Sequence, residues 1–190
     1  MKLKLILISL ILSNSVIAQV SSTSEYFFAK EFSKEISLYN AKEYVMKEVL
    51  GTSNDIVQFE IDPLAAALSG EVTSLDYKCE SRSKEGLILG FYGNYWNNAG
   101  VVYQGYGFKN LPKDEALKFL NLISKTIEDQ REYLLKNPDN NNVYFQYDDI
   151  LVLIYFTGET RIRLFWKSFD SEWGITAFNR TKRRFEKSIN

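Results

Sequence analysis

Histidine is absent from all 190 residues. That removes Ser-His-Asp and Cys-His nucleophilic sites, imidazole general bases near neutral pH and nearly every type of zinc site. Any catalysis must run on Asp, Glu, Lys, Tyr, Ser or Arg. Cysteine is nearly absent: Cys79 stands alone, so no internal disulfide forms and stability must come from core burial. Its alternation with Tyr77 and Leu75 predicts a small buried apolar group rather than a reactive thiol. An excess of charge is missing too, with 23 basic and 24 acidic residues. A net charge of −1 gives no reason to expect nucleic acid or an anionic membrane as partner. No Gly-rich phosphate loop, calcium loop or metal-spaced ligand set occurs, so no cofactor or metal is expected.

The apolar run at residues 5–12 is too short to span a bilayer, and no membrane span is expected in the mature chain. Lys2 and Lys4 precede the run, and Val16-Ile17-Ala18 supplies the small residue that signal peptidase requires. The expectation is a signal peptide over residues 1–18, cleaved before Gln19, and an exported chain that is periplasmic or extracellular. Cleavage removes two of the 23 basic residues; the remaining 21 against 24 acids give −3.

What the chain does contain is a long helical pattern at residues 113–136. Ala116, Leu120, Ile123, Ile127, Gln130 and Leu134 recur at alternating steps of four and three, which keeps one stripe along a helix. Leu117, Phe119, Leu122 and Leu135 widen it, so the helix lies on a core. Pro112, Asp114 and Glu115 suit its first turn, and Asn137-Pro138 ends it.

Strand patterns flank this helix. Residues 57–61 alternate, followed by a short helix or bent strand near Pro63, and 72–80 form a second strand. Residues 86–108 read as a hairpin around Asn97-Asn98-Ala99-Gly100. With Trp96 opposite Val101, Gly90 faces Gly107 and Tyr92 faces Gly105, and three glycines share a face with Tyr92, Trp96 and Tyr103. That face is either packed or a shallow groove with aromatic walls. Strands follow at 143–147, 150–156 and 161–167. The second of these is apolar on both alternations, predicting cover on both sides. A turn at 170–172, a strand at 173–178 and a helix at 181–189 complete the chain. Residues 25–50 read as a helix or helix pair.

The order helix, strands, helix, strands, helix fits a single α+β domain over residues 19–190. The expected fold is an antiparallel sheet of hairpins with the long central helix packed on one face. Helices close the N- and C-terminal ends, the former covering an edge or the other face.

Three constellations bear on function. Tyr92, Tyr95, Trp96, Tyr103 and Tyr106 offer aromatic faces for sugars or apolar ligands, or simply fill strand positions. Arg161 and Arg163, with Lys167, form a basic row suited to carboxylates, or a solvated face neutralised by Glu159, Asp170 and Glu172. Asp148, Asp149, Asp170 and Glu172 offer carboxylates for acid-base work but fall in predicted turns. The candidate ligand-binding residues are therefore Tyr92, Trp96, Tyr103, Arg161 and Arg163. The leading expectation is a non-catalytic exported interaction domain with a protein, peptide or glycan partner. The alternatives are a carboxylate- or tyrosine-dependent hydrolase outside the cytoplasm and a structural subunit of an envelope assembly. Two acids in one pocket, one with a raised pKa, would favour the hydrolase. A strand 150–156 left open on one face would favour an assembly.

Overall fold

A computed structural model describes residues 38–66, 71–96 and 102–189, and of 94–96 and 102–104 the backbone alone. The expected leader and cleavage point, the pattern at 25–37 and the expected hairpin turn at 97–100 lie outside the described residues. The chain divides into two units, Met1–Asn40 and Ala41–Asn190, and the sheets and core belong to the second.

The class is α+β, with the strands shared between two antiparallel sheets. The first holds β1 (Glu60–Ala66), β2 (Val72–Cys79), β3 (Lys84–Trp96) and β4 (Val102–Pro112) in sequential order. Helices α1 (Lys113–Asp129) and α2 (Arg131–Lys136) come next. The second sheet holds β5 (Asn142–Tyr147), β6 (Ile150–Phe156), β7 (Thr160–Trp166) and β8 (Phe169–Gly174), again in order. Helix α3 (Ile175–Ser188) closes the described chain.

Alternation assigns the faces. On the second sheet Ile150, Val152, Ile154, Ile162, Leu164, Trp166, Phe169 and Trp173 point inward and are buried. They meet Val72, Leu87, Leu89, Phe91 and Leu111 of the first sheet, together with Ala116, Phe119, Leu120 and Ile123 of α1, in one core. Phe91 and Trp166 stack across the sheets at 5.0 Å between ring centroids. Phe119 packs on Tyr147 at 5.1 Å between ring centroids, which joins α1 to the core-facing alternation of β5. Truncating Phe119, fully buried here, would cost about 3–5 kcal/mol.

The other face of the first sheet has its own cover. Residues 38–44 are helical and run into a π-turn, Val45–Leu50. Ala41, Val45, Val49 and Leu50 are buried, as are Leu75, Tyr77 and Ile88 on the alternate positions of β2 and β3. Tyr44 meets Phe108 at 5.6 Å, and Arg82 and Lys84 donate to the carbonyls of Leu50 and Val49 at the open end of the turn. Residues 41–50 thus cover the second face, one of the two places expected for the N-terminal helices.

Several expectations need correction. The long helix is interrupted at Gln130 (φ −103°, ψ 9°), although Leu134 N–H still donates to the Gln130 carbonyl. One turn earlier the Thr126 hydroxyl donates back to Leu122 O at 2.8 Å, a bond that bends helices. The bent-strand alternative describes β1, which starts at Glu60 and bulges between Pro63 and Ala65. Proline is tolerated there because β1 is an edge. The 86–108 hairpin is longer and shifted by one: Trp96 pairs with Val102, Tyr92 with Tyr106 and Gly93 with Gly105. Residues 170–172 form no turn. A tight turn at Lys167 and Ser168, with Lys167 at φ 52°, lets Trp166 pair with Phe169, so Asp170 and Glu172 lie on a strand. Helix α3 begins at Ile175, and no strand runs to 178. Finally, β6 is buried on one alternation only, since Leu151 is 37% exposed.

Candidate functional site

Because Ile162, Leu164 and Trp166 face the core, alternation sends Arg161, Arg163 and Phe165 outward. Their neighbours follow from the register. Leu153 faces Arg163, Tyr155 faces Arg161 and Leu151 faces Phe165 on one side, while Glu172 faces Arg163 and Asp170 faces Phe165 on the other. Tyr144 of β5 pairs with Leu153. A row therefore crosses the sheet from Tyr144 through Leu153 and Arg163 to Glu172.

Ion pairs fix the basic part of this face. Arg161 reaches Glu172 Oε1 at 2.5 Å and Glu159 Oε1 at 3.0 Å. Arg163 grips Asp170 through Nε and Nη2, the latter at 3.2 Å. The Asp170 hydrogen bond, followed by one to Tyr155, holds the Arg163 guanidinium pKa above its ordinary value. Each arginine is engaged by its own strand neighbours, which leaves little of either charge for an outside anion. Beside them Tyr144 is 74% exposed, and Leu151, Leu153, Tyr155 and Phe165 are exposed or half-buried. The face is a flat apolar strip with a neutralised polar margin.

The aromatic hairpin residues are not brought together as expected. Tyr92 is described, and its ring lies 4.6 Å from that of Tyr106. Trp96 and Tyr103 are placed by backbone alone: Trp96 pairs with Val102 and Tyr103 with Tyr95. The observed register puts Tyr103 on the alternation opposite to Tyr92 and Trp96, so these three positions do not wall one groove. A one-residue slip exchanges the faces of a strand. Gly90 and Gly107 serve packing. A Cβ on Gly90 would lie 2.5 Å from Thr73 Oγ1, and one on Gly107 would lie 2.6 Å from Phe169 Cε2.

Described residues also line two concave features. Ile56, Gln58, Phe59, Glu60, Lys78, Glu80 and Ser81 line an open groove of about 390 Å³ beside β1, spanned by a Lys78–Glu80 ion pair of 2.8 Å. The second is a cleft of about 80 Å³ between β1, β2 and α3. Here Asp62 pairs across the strands with Asp76. Burial pushes the Asp76 carboxyl above the usual range, with Asp62's charge acting the same way and hydrogen bonds from Ser188 and the backbone opposing it. Two acids in one cleft is the arrangement a hydrolase needs, but its volume is far below the ~300 Å³ of the smaller ligand pockets.

Of the acids expected in turns, Asp148 and Asp149 do form one, with Asp148 at φ 52°. Lys109 bridges both at 2.6 and 2.7 Å, and Asp149 accepts the Trp166 indole N–H at 2.8 Å. Burial raises the Asp149 pKa, yet the bonds from Lys109 and Trp166 outweigh it and the net direction is down. Their role is to lock the β5–β6 turn onto β4.

Sequence reasoning missed Tyr144, Leu151, Leu153, Tyr155 and Phe165. The available signal was the double apolar alternation at 150–156, which was read as burial. No protein-family model, curated protein or solved structure matches the chain. Among the described residues, no helix is long and apolar enough to cross a membrane.

Proposed function

We propose that the chain is exported and acts as a non-catalytic interaction domain that docks a protein or peptide on the outward face of its second sheet. The observation that supports this reading is the uncovered row Tyr144, Leu151, Leu153, Tyr155 and Phe165 beside arginines that are already paired. A glycan needs free donors and acceptors for its hydroxyls, whereas here the charged groups are occupied and the open surface is apolar. Protein interfaces have this make-up, with an apolar, aromatic centre and a polar rim. Export rests on Lys2, Lys4, the apolar run at 5–12 and Val16-Ile17-Ala18. The hydrolase alternative rests on Asp62 and Asp76, whose 80 Å³ cleft leaves no room for a sugar ring or peptide unit.

Two measurements test the proposal. Mass spectrometry of the exported product should give an N-terminus at Gln19; a product beginning at Met1 overturns export. Peptide and glycan arrays should yield peptide ligands for the parent protein that Leu151→Asp loses by ~10-fold or more, with its unfolding midpoint unchanged. Binding indifferent to Leu151, or saturable turnover of a substrate, overturns the docking assignment.

A further inference from the structure

Two four-stranded sheets have four edges, and an edge strand is a row of unpaired backbone groups that other chains can join. Three of the four edges here are guarded. β1 carries Pro63 and a bulge, and the Arg184 guanidinium occupies the Leu64 carbonyl at 2.6 Å. β4 ends in Pro112, and the Tyr44 ring packs on Phe108 of this strand. On β8 the Glu71 carboxylate takes the Glu172 N–H at 2.6 Å.

β5 has none of these devices. It reads Asn142-Val143-Tyr144-Phe145-Gln146-Tyr147, with no proline, glycine or charged residue. It pairs with β6 without a register shift. Among the described residues, no backbone or side-chain group bonds to the backbone of its outer side. Four of its six residues are β-branched or aromatic, the types that form strands most readily.

We propose that β5 is a pairing edge whose occupant is β5 of a second copy of this chain, antiparallel about a two-fold axis, so that two sheets of four strands join into one of eight. Charge argues for a copy as the occupant. About a two-fold axis a strand meets its own residues, and like charges placed opposite each other repel. β1 carries Glu60 and Asp62, β4 carries Lys109, and β8 carries Asp170 and Glu172. β5 alone is uncharged. Facing residues in a sheet must share a side, and two pairings match five of the six residues under this condition, centred on Tyr144 or on Phe145. Phe145 packs against the core whereas Tyr144 is exposed, so the two-fold axis is placed at Tyr144. Tyr144 then faces its counterpart, Val143 faces Phe145 and Asn142 faces Gln146. The outward faces of the two copies become continuous, with both Tyr144 residues at the seam. The pairing itself does not require that face to bind a partner.

A six-residue strand pair alone falls short of the ~1,000 Å² of buried area that marks a stable interface, so the association should depend on concentration. In sedimentation equilibrium, the parent protein should shift from monomer toward dimer between about 1 and about 300 µM. Tyr144→Lys sets two ammonium groups opposite each other and should remain monomeric throughout. Because Tyr144 is 74% exposed, its replacement should leave the unfolding midpoint unchanged. Tyr144→Cys should form a disulfide-linked dimer on mild oxidation, since directly opposed residues stand ~4.5–5.5 Å apart at Cα, within disulfide reach. Cys79 is buried and does not compete. Leu151→Asp, one strand away, should dimerise like the parent, which separates this proposal from partner docking. A parent that stays monomeric, a dimer that survives Tyr144→Lys, or no cross-link through Tyr144→Cys overturns the assignment. So does a monomer that instead captures a peptide of β5 sequence.

Discussion

Ser74 and Thr181 share a hydrogen bond of 2.6 Å, although 107 residues separate them. Both are buried, and they join β2 to α3 where the first sheet meets the last helix. The Thr181 hydroxyl also donates to Ala177 O at 2.9 Å, which makes Ser74 the donor to Thr181. Thr181→Val keeps the shape and removes the oxygen, leaving a buried hydroxyl short of a partner. Its expected cost is about 1–3 kcal/mol. Pairing it with Ser74→Ala should recover about 1 kcal/mol of the summed single effects in a double-mutant cycle. Strict additivity in urea unfolding would show that the two hydroxyls act separately.

Gly107 and Gly93 provide an internal comparison, because they lie on the same alternation of the β3–β4 hairpin. A methyl group at Gly107 would meet Phe169 Cε2 at 2.6 Å and Trp166 Cζ3 at 2.9 Å, whereas one at Gly93 would meet nothing within 4 Å. Both rings are held in the intersheet core. Gly107→Ala should therefore lower stability by about 1–3 kcal/mol through overpacking. Gly93→Ala should be neutral or stabilising by up to about 1 kcal/mol, as a strand glycine gives up backbone freedom. Equal thermal midpoints for the two variants would contradict the observed register.

Asp76 sets a pH dependence of definite sign. Burial, with Asp62 as a lesser cause, holds its folded pKa above the ordinary carboxylate value. The folded state then binds this proton more tightly than the unfolded chain does. The contribution to stability is present below the unfolded pKa and is lost as pH rises through the folded one. Asp76→Asn removes the ionisation penalty. Relative to the parent, its urea midpoint should rise more at pH ~7 than at pH ~3. The same difference at both pH values would mean that the carboxyl ionises freely.

What the sequence made legible was the set of patterns that one element carries by itself. The 3.6-residue stripe from Ala116 to Leu134 predicted the central helix, and Pro138 its end. The alternation in β2, β6 and β7 placed those strands to within a residue or two. The misreadings came where two elements decide together. Nothing local distinguishes Trp96 opposite Val101 from Trp96 opposite Val102, yet that single step moves Tyr103 to the other alternation. Asp170 and Glu172 resemble turn residues until Phe169, Ser171 and Trp173 are seen to share a buried face, with Ser171 interrupting the apolar signal. The outer row of β6 was misassigned for the opposite reason. Its residues are as apolar as a core row, and composition does not reveal which of two apolar faces has a cover. The Arg161 and Arg163 row lay next to the acids expected as its neighbours, because opposite charges on adjacent strands fall into register once the apolar faces do.

β3, one of the two interior strands of the first sheet, is enclosed on both sides: Leu87, Leu89 and Phe91 lie in the intersheet core, and Ile88 lies on the face that residues 41–50 cover. Those four side chains belong to two separate packing layers, so solvent reaches the intervening amides only when both layers part. Their protons should be the slowest in the chain to exchange with deuterium, at a rate set by global unfolding rather than by local opening.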